Sequence, residues 1–426
     1  MTAAHPASVD LTSVTRALPE GTDPLSGLGA GGVVWLHEGA GIATSGVAAR
    51  IPLTAGSQRI ALAAEHVAAV LGGIEVDDPL ALPGTGPVAV GALPFLNQQE
   101  GELVIPARVV GRTPEGQAWV TEVSPSSRPP FRSEGRSGPG SSPAGERLRG
   151  AALEPTSFVV EADGGRLAWN ASVRRALERI GAGTLSKVVL ARRVVVWGDQ
   201  PFSLPVVVDR LRRAHPSCFT FAIDGFVGAS PELLVRRRGG RVWSRPMAGS
   251  VERGGSSADD RRLTSALRSS PKELDEHRFV VEDVRRRLDP LCRSISVNGP
   301  QVVGLSSVTH LATSVAGRLR SPPPSALALA GHLHPTPAVG GQPRDVALAT
   351  IAELEGFDRG LYAGPVGWVD SRGDGDWAVA LRCASVDGRR AVLSAGAGIV
   401  AGSDPDAEWA ETQAKLEPML RALVRV

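Results

Sequence analysis

Lysine is scarce in this chain: among 46 lysines and arginines only Lys187, Lys272 and Lys415 are lysines. Arginine stays protonated at working pH, whereas a desolvated lysine can lose its proton, so a lysine kept against such an arginine bias is a candidate base. Lys187 lies in the β-branched run from Leu185 to Val196. A period of two puts it on one face with Leu185, Val189 and Ala191. If that face is buried, the lowered pKa makes the neutral amine a general base; on an edge strand the side chain would instead reach out to water. Glu232 stands in Ser230-Pro231-Glu232-Leu233-Leu234. Beside two leucines its pKa would rise and suit it to act as a general acid. The same residues also fit a glutamate in a surface turn.

Two further patterns pair carboxylates. Glu273 and Glu276 are spaced i,i+3, and Glu276 leads into the apolar stripe Val280, Val284, Leu288. Glu408, Glu411 and Lys415 are spaced i,i+3,i+7 on a side that continues into Met419 and Ala422. Acids on a buried stripe need a partner, and two helices offering two carboxylates each could hold Mg²⁺, which takes a few carboxylates together with waters and substrate oxygens. Acids in a first helical turn and a Glu411–Lys415 surface pair at i,i+4 are the competing accounts. Ala395-Gly396-Ala397-Gly398 and Ala248-Gly249-Ser250 read as glycine-rich turns whose N–H groups could cradle carboxylates.

Positioning these groups requires a mixture of elements. Residues 1–123 alternate short apolar strands, such as Gly32 to His37 and Pro87 to Phe95, with glycine-rich turns. Residues 124–150 are rich in Ser, Pro, Gly and Arg and read as a flexible linker or surface loop. Residues 151–426 carry every chemical motif. There Trp169 to Ile180 and Leu274 to Leu291 read as helices, and Phe219 to Gly228 as a hairpin about Asp224-Gly225. Trp377 to Cys383 and Arg390 to Ser394 read as strands, and Asp404-Pro405 opens a last helix with Asp404 as its cap. Without regular βαβ alternation the expected class is α+β.

Composition narrows the function classes. With 42% hydrophobic and 21% charged residues and a net charge of +2, the chain has an ordinary soluble balance. No apolar run reaches 18 residues, and Met1 to Asp10 lacks the basic and apolar segments of a secretory signal, so no membrane partner is expected. The arginines are scattered, with nine Phe and one Tyr, which argues against a nucleic-acid surface. Cys218, Cys292 and Cys383 form no paired motif, which fits a cytoplasmic protein with neither disulfide framework nor zinc site.

In chain order these motifs resemble the chorismate-utilising enzymes: isochorismate, salicylate, anthranilate and aminodeoxychorismate synthases. The stretches are SKVVLARR (186–193), ASPELLV (229–235), RPMAGSVERG (245–254), KELDEHRFVVEDV (272–284) and VTHLATSVAG (308–317). They continue as LHPTPAVGGQP (333–343), RGLYAGPVGW (359–368), ALRCA (380–384) and 396–420. WLHEGAGIATSGVA (35–48) and VAVGALPF (88–95) match more loosely. The resemblance implies an anthranilate synthase component I-like sandwich of two related halves around a central cleft. It implies that Lys187 activates water, that Glu232 is the acid for the leaving C4 hydroxyl, and that Mg²⁺ sits on Glu276 and Glu408 with Glu273 and Glu411 nearby. It matches Gly249, Ser250, His310, Tyr362, Arg382, Gly396 and Lys415 to substrate binding.

Lysine at 187 resembles the water-using branch, which needs no glutaminase subunit. The segment around Ala338 resembles isochorismate synthases, where salicylate synthases carry threonine. The expected activity is therefore an isomerase, an isochorismate synthase feeding menaquinone or siderophore synthesis. Salicylate synthase is the alternative, and an amine-using anthranilate or aminodeoxychorismate synthase the second.

Overall fold

Strand pairing starts from turns that the residues dictate. Asp224 and Gly225 have φ of 45° and 79°, the handedness a two-residue turn needs to follow the strand twist, so Phe219–Ile223 folds back on Phe226–Ser230. The computed structural model describes residues 10–126, 154–305 and 308–424 and links such pairs into two sheets, joined to each other through the pairing of Val90 with Val104. The first runs through Leu11–Leu18, Ala118–Pro125, Gly101–Arg112, Ala40–Leu53 and Val34–His37. It continues through the hairpin to Cys383–Asp387, Arg390–Ile399 and Lys187–Gly198. The second runs through Val88–Ala92, Pro365–Asp370, Gly375–Val379, Leu233–Arg238, Arg241–Arg245 and Val308–Leu319. Met247–Glu252 and Cys292–Gly304 both pair with Val308–Leu319. Early and late strands are thus interleaved: Val34–His37 pairs with Phe219–Ile223, and Val88–Ala92 with Pro365–Asp370.

The architecture is the expected α+β sandwich. Trp35, Phe221, Phe226, Val366 and Trp377, drawn from both sheets, form one buried cluster. A second cluster covers the first sheet, where Val207 and Leu211 of helix Leu204–Ala214 and Leu416 and Met419 of helix Pro405–Leu423 pack on Val34, Val194, Val196 and Leu393. Helix Pro271–Leu288 lies on the second sheet and buries the anticipated stripe of Val280, Val284 and Leu288. Among the described residues no helix is long and apolar enough to cross a membrane. The segment read as a linker lies, from residue 127 to its end, outside the described residues.

Three local expectations need correction. Ala395–Gly398 is no turn but part of strand Arg390–Ile399, paired antiparallel with residues 192 to 189 of Lys187–Gly198; its glycines serve close approach rather than reversal. Ala248-Gly249-Ser250 is likewise strand, with a register shift at Gly249, whose φ is 75°. Trp377 to Cys383 is two strands, Gly375–Val379 and Cys383–Asp387, because Arg382 takes the left-handed conformation at φ 50°.

Candidate active site

Lys187 opens strand Lys187–Gly198, and alternation turns it inward as expected: its side chain is 0% exposed, and Nζ lies 3.0 Å from Glu276 Oε1. The contact is an ion pair rather than an aligned hydrogen bond. Five residues on, Arg192 donates from Nε to Thr412 Oγ1 at 2.7 Å and lies over the Trp409 ring. This fastens the strand to helix Pro405–Leu423, which carries Glu408, Glu411 and Lys415.

Glu232 occupies the short link between strands Phe226–Ser230 and Leu233–Arg238. Ser230 shapes the link by donating to the Val379 carbonyl at 2.5 Å and accepting from the Glu232 N–H at 3.2 Å. Glu232 is buried, not in a surface turn. Burial pushes its carboxyl up to about 8, against the opposing pull of Lys187 and a Met247 backbone hydrogen bond. It is therefore protonated at neutral pH, as a general acid must be.

The two carboxylate pairs come together from two helices. Ser270 caps helix Pro271–Leu288 and Asp404 caps helix Pro405–Leu423, which fixes where the first-turn acids stand. Ser250 ties them across: its N–H donates to Glu273 Oε2 at 2.9 Å and its Oγ to Glu411 Oε1 at 2.5 Å. Burial, then Glu411, raises Glu408 to about 7; burial, then Glu276, raises Glu273. Burial would raise Glu411 too, but the Lys415 ammonium outweighs it and holds the carboxyl at about 2. The Glu411–Lys415 pair exists, though in a partly buried setting rather than on the surface.

Among the described residues no three of these carboxylates converge on one point; each faces a lysine or Ser250. Lys272 Nζ lies 3.1 Å from Glu408 Oε1 and 3.7 Å from Glu273 Oε1, a cation set between acids of different helices. An all-oxygen donor set, crowded enough to raise two of its members and already attracting a cation, fits a hard divalent ion. Glu276 and Glu408 are the residues that could hold it, with Glu273 and Glu411 beside them.

The remaining expected residues line the same small cavity, of about 50 Å³, with Glu232, Glu276 and Glu411: Gly249, Ser250, His310, Ala338, Tyr362, Arg382, Gly396 and Lys415. Arg382 donates to His310 Nε2 at 3.2 Å. Burial, then Arg382, lowers His310 to about 3, so the ring is neutral and accepts. Lys415 donates to the Gly396 carbonyl at 2.9 Å. Lys415 already faces Glu411, but the buried Arg382 guanidinium bonds the neutral His310 ring; a buried cation calls for an anion, and an anionic substrate would supply it. A cavity of about 700 Å³ lies elsewhere, between Trp35, Trp119, Trp243 and Trp368; it is larger but is lined by none of Glu232, Glu276 and Lys415.

Sequence reasoning assigned no role to His277 or to the cation position of Lys272. His277 bonds the Ala248 carbonyl at 3.1 Å and Thr313 Oγ1 at 2.7 Å, seating helix Pro271–Leu288 on the second sheet. Its adjacency to Glu276 was the available signal. For Lys272 it was the rarity of lysine.

A buried glutamate held protonated lines this cavity, with Arg382 and Lys415 beside it and the buried Lys187 behind Glu276, an arrangement that could move protons on a small anionic substrate. Comparison with known proteins gives the family. The family model described as chorismate binding enzyme matches residues 34–424. MenF of Mycobacterium tuberculosis is 40% identical over 356 residues, spanning 80% of this chain and 87% of that protein. Isochorismate synthase EntC of Escherichia coli is 36% identical over 340 residues, 78% and 80% of the two chains. The structure of the menaquinone-specific isochorismate synthase MenF from Escherichia coli superposes with a TM-score of 0.77 at 27% identity, covering 99% of this chain and 96% of that one. The chain belongs to the chorismate-binding enzyme family.

Proposed function

We propose that this protein is a Mg²⁺-dependent isochorismate synthase, working in the cytoplasm without a glutaminase subunit. The carrying observation is a buried carboxyl that lines the cavity, Glu232, with a buried lysine behind the cavity wall against Glu276, which also lines it. Lys187 is fully buried, and Glu232 stays protonated to about 8 although Lys187 is near enough to pull it down. Its relatives named as isochorismate synthases support the same reading, and three free buried cysteines fit a reducing compartment.

Chorismate is a dianion, and Arg382, Lys415 and the N–H groups near Gly249 and Gly396 would bind its carboxylates. Lys187 takes a proton from water as that water attacks C2, and Glu232 gives a proton to the departing C4 oxygen while the ring double bonds shift. Glu276 and Glu408 would hold Mg²⁺, which when bound anchors a substrate carboxylate and draws electron density from the ring. The acid and the base are thus separate groups, carried by separate segments of the chain.

The test is an end-point assay of chorismate with Mg²⁺. Isochorismate in reversible equilibrium, with no pyruvate in a lactate dehydrogenase coupled assay, is expected. Loss of the enolpyruvyl chain requires that chain to be held over the ring for hydrogen transfer, and Ala338 offers it a methyl rather than a hydroxyl. Stoichiometric pyruvate with fluorescent salicylate would make the protein a salicylate synthase. An amine product from added ammonium would place it in the amine-using branch.

A further inference from the structure

The strand that carries Lys187 lacks a neighbouring strand where it matters most. On one edge Lys187–Gly198 is paired along its length with Arg390–Ile399. On the other, Gly341–Gln342 pairs with Lys187 and Val188, and Phe158–Asp163 pairs only from Arg193 onward. In between, the Val189 N–H donates to the Gly340 carbonyl at 2.8 Å, and two further main-chain groups go to a buried ion pair. Glu355 Oε1 accepts from the Ala191 N–H at 2.7 Å, and Arg359 donates to the Val189 carbonyl at 2.7 Å. Arg359 and Glu355 bond each other through Nε at 2.9 Å and a terminal nitrogen at 2.5 Å, with side chains 1% and 0% exposed.

The other terminal nitrogen of Arg359 donates to the Val339 carbonyl at 2.7 Å, and the guanidinium lies 4.4 Å from the Phe95 ring centroid and 5.9 Å from that of Tyr362. Val189, Val339 and Tyr362 all line the candidate cavity, whereas Arg359 and Glu355 do not. One guanidinium therefore grips, from behind, the strand of the base, the loop bearing Ala338 and the turn bearing Tyr362.

We infer that Glu355 and Arg359 are positioning residues for the isomerisation: in place of a missing strand they fix the distance between Lys187 and the substrate held against Ala338 and Tyr362. This rests on the reading of Lys187 as the base. The fork geometry is required, since an ammonium cannot reach two carbonyls and a carboxylate in one plane. The inference concerns the reacting geometry more than affinity, because the anion-binding groups Arg382 and Lys415 have other supports.

The experiment is steady-state kinetics of Arg359→Lys and Glu355→Gln with chorismate and saturating Mg²⁺, well below each variant's Tm, normalised to folded protein. The expected result for Arg359→Lys is a kcat lower by about 10- to 100-fold, the scale of an ångström's misplacement, with KM changed less than about threefold. If Arg359→Lys does not fold, Glu355→Gln carries the test, since it keeps an acceptor for Ala191 while removing the charge. A loss confined to Tm with kcat per folded molecule unchanged, or a loss carried by KM alone, overturns the inference. Lys187→Gln assayed alongside separates the two readings. If it retains turnover, the base assignment fails; if it is inactive while both pair variants keep wild-type kcat, only the positioning role fails.

Discussion

At the residue scale, the proposed acid and the proposed base are both buried beside one cavity, but with different neighbours. Glu232 is buried and stays protonated; Lys187 is equally buried but faces a carboxylate. Lys187→Arg keeps the charge yet cannot act as a neutral base near pH 7, so its kcat should fall by roughly 10²–10⁴-fold, the usual worth of a general base. A variant with near wild-type kcat would remove Lys187 from that role. Glu232→Gln should lose a similar factor, and it makes a second, independent prediction about stability. The folded pKa of Glu232, about 8, lies above its ordinary 4.5. The folded state therefore binds a proton that the unfolded state releases between these values. The stabilising contribution is full below about 4.5 and is lost as pH rises through 8. Thermal melts across pH 5 to 9 should show wild-type Tm declining over this window more than that of Glu232→Gln, which has no proton to lose; parallel curves would contradict the shift.

The burial of the candidate base and acid was legible in the sequence because each is a polar residue inside a strongly apolar context. Arg359 was not. One more arginine among many carries no signal until the fold shows that its partners are main-chain carbonyls rather than surface acids.

At the scale of elements, caps and hairpins were readable because their signals are local: Asp404 before Pro405, Asp224 before Gly225. Glycine-rich strand was not, since glycine marks both reversal and close approach, and only the neighbour decides. A Cβ built on Gly398 would sit 2.3 Å from Glu276 Oε1 and 3.2 Å from Lys187 Cε. The obstacle is mainly the far end of a side chain, so the fold should accommodate it at about 1–3 kcal/mol while the Glu276–Lys187 pair is pushed apart. One built on Gly367 would sit 2.0 Å from the Asp376 main-chain oxygen, which cannot step aside. Gly398→Ala should therefore remain folded, with kcat at least about tenfold lower from misplaced groups, whereas Gly367→Ala should lose soluble protein or Tm first. Circular dichroism melts with kcat per folded molecule distinguish these, and a fully active Gly398→Ala would show that the close pairing of Glu276 with Lys187 is dispensable.

At the scale of the whole molecule, the candidate metal ligands belong to segments distant in sequence and brought together only by the finished sandwich. Glu276 stands on a helix seated against the second sheet, Glu408 on a helix laid over the first, and Arg192 and Ser250 connect the parts. The unfolded chain does not present these acids together, so an ion held by them binds the native state alone and raises Tm by mass action. At a Mg²⁺ concentration a hundredfold above Kd the linkage is worth about 2.7 kcal/mol. For a chain of 426 residues, with an unfolding entropy of about 2.1 cal/mol/K per residue, that is a rise of about 3 °C. The rise should grow with metal concentration, vanish with excess chelator, and be absent in Glu276→Gln and Glu408→Gln, which should also lose turnover. Removing Glu276 or Glu408 takes a carboxylate from Lys187 or Lys272, so each variant is compared with itself with and without metal rather than with the wild type. A Mg²⁺-dependent shift that persisted in both variants would place the ion elsewhere, and full turnover in excess chelator would remove the metal from the reaction.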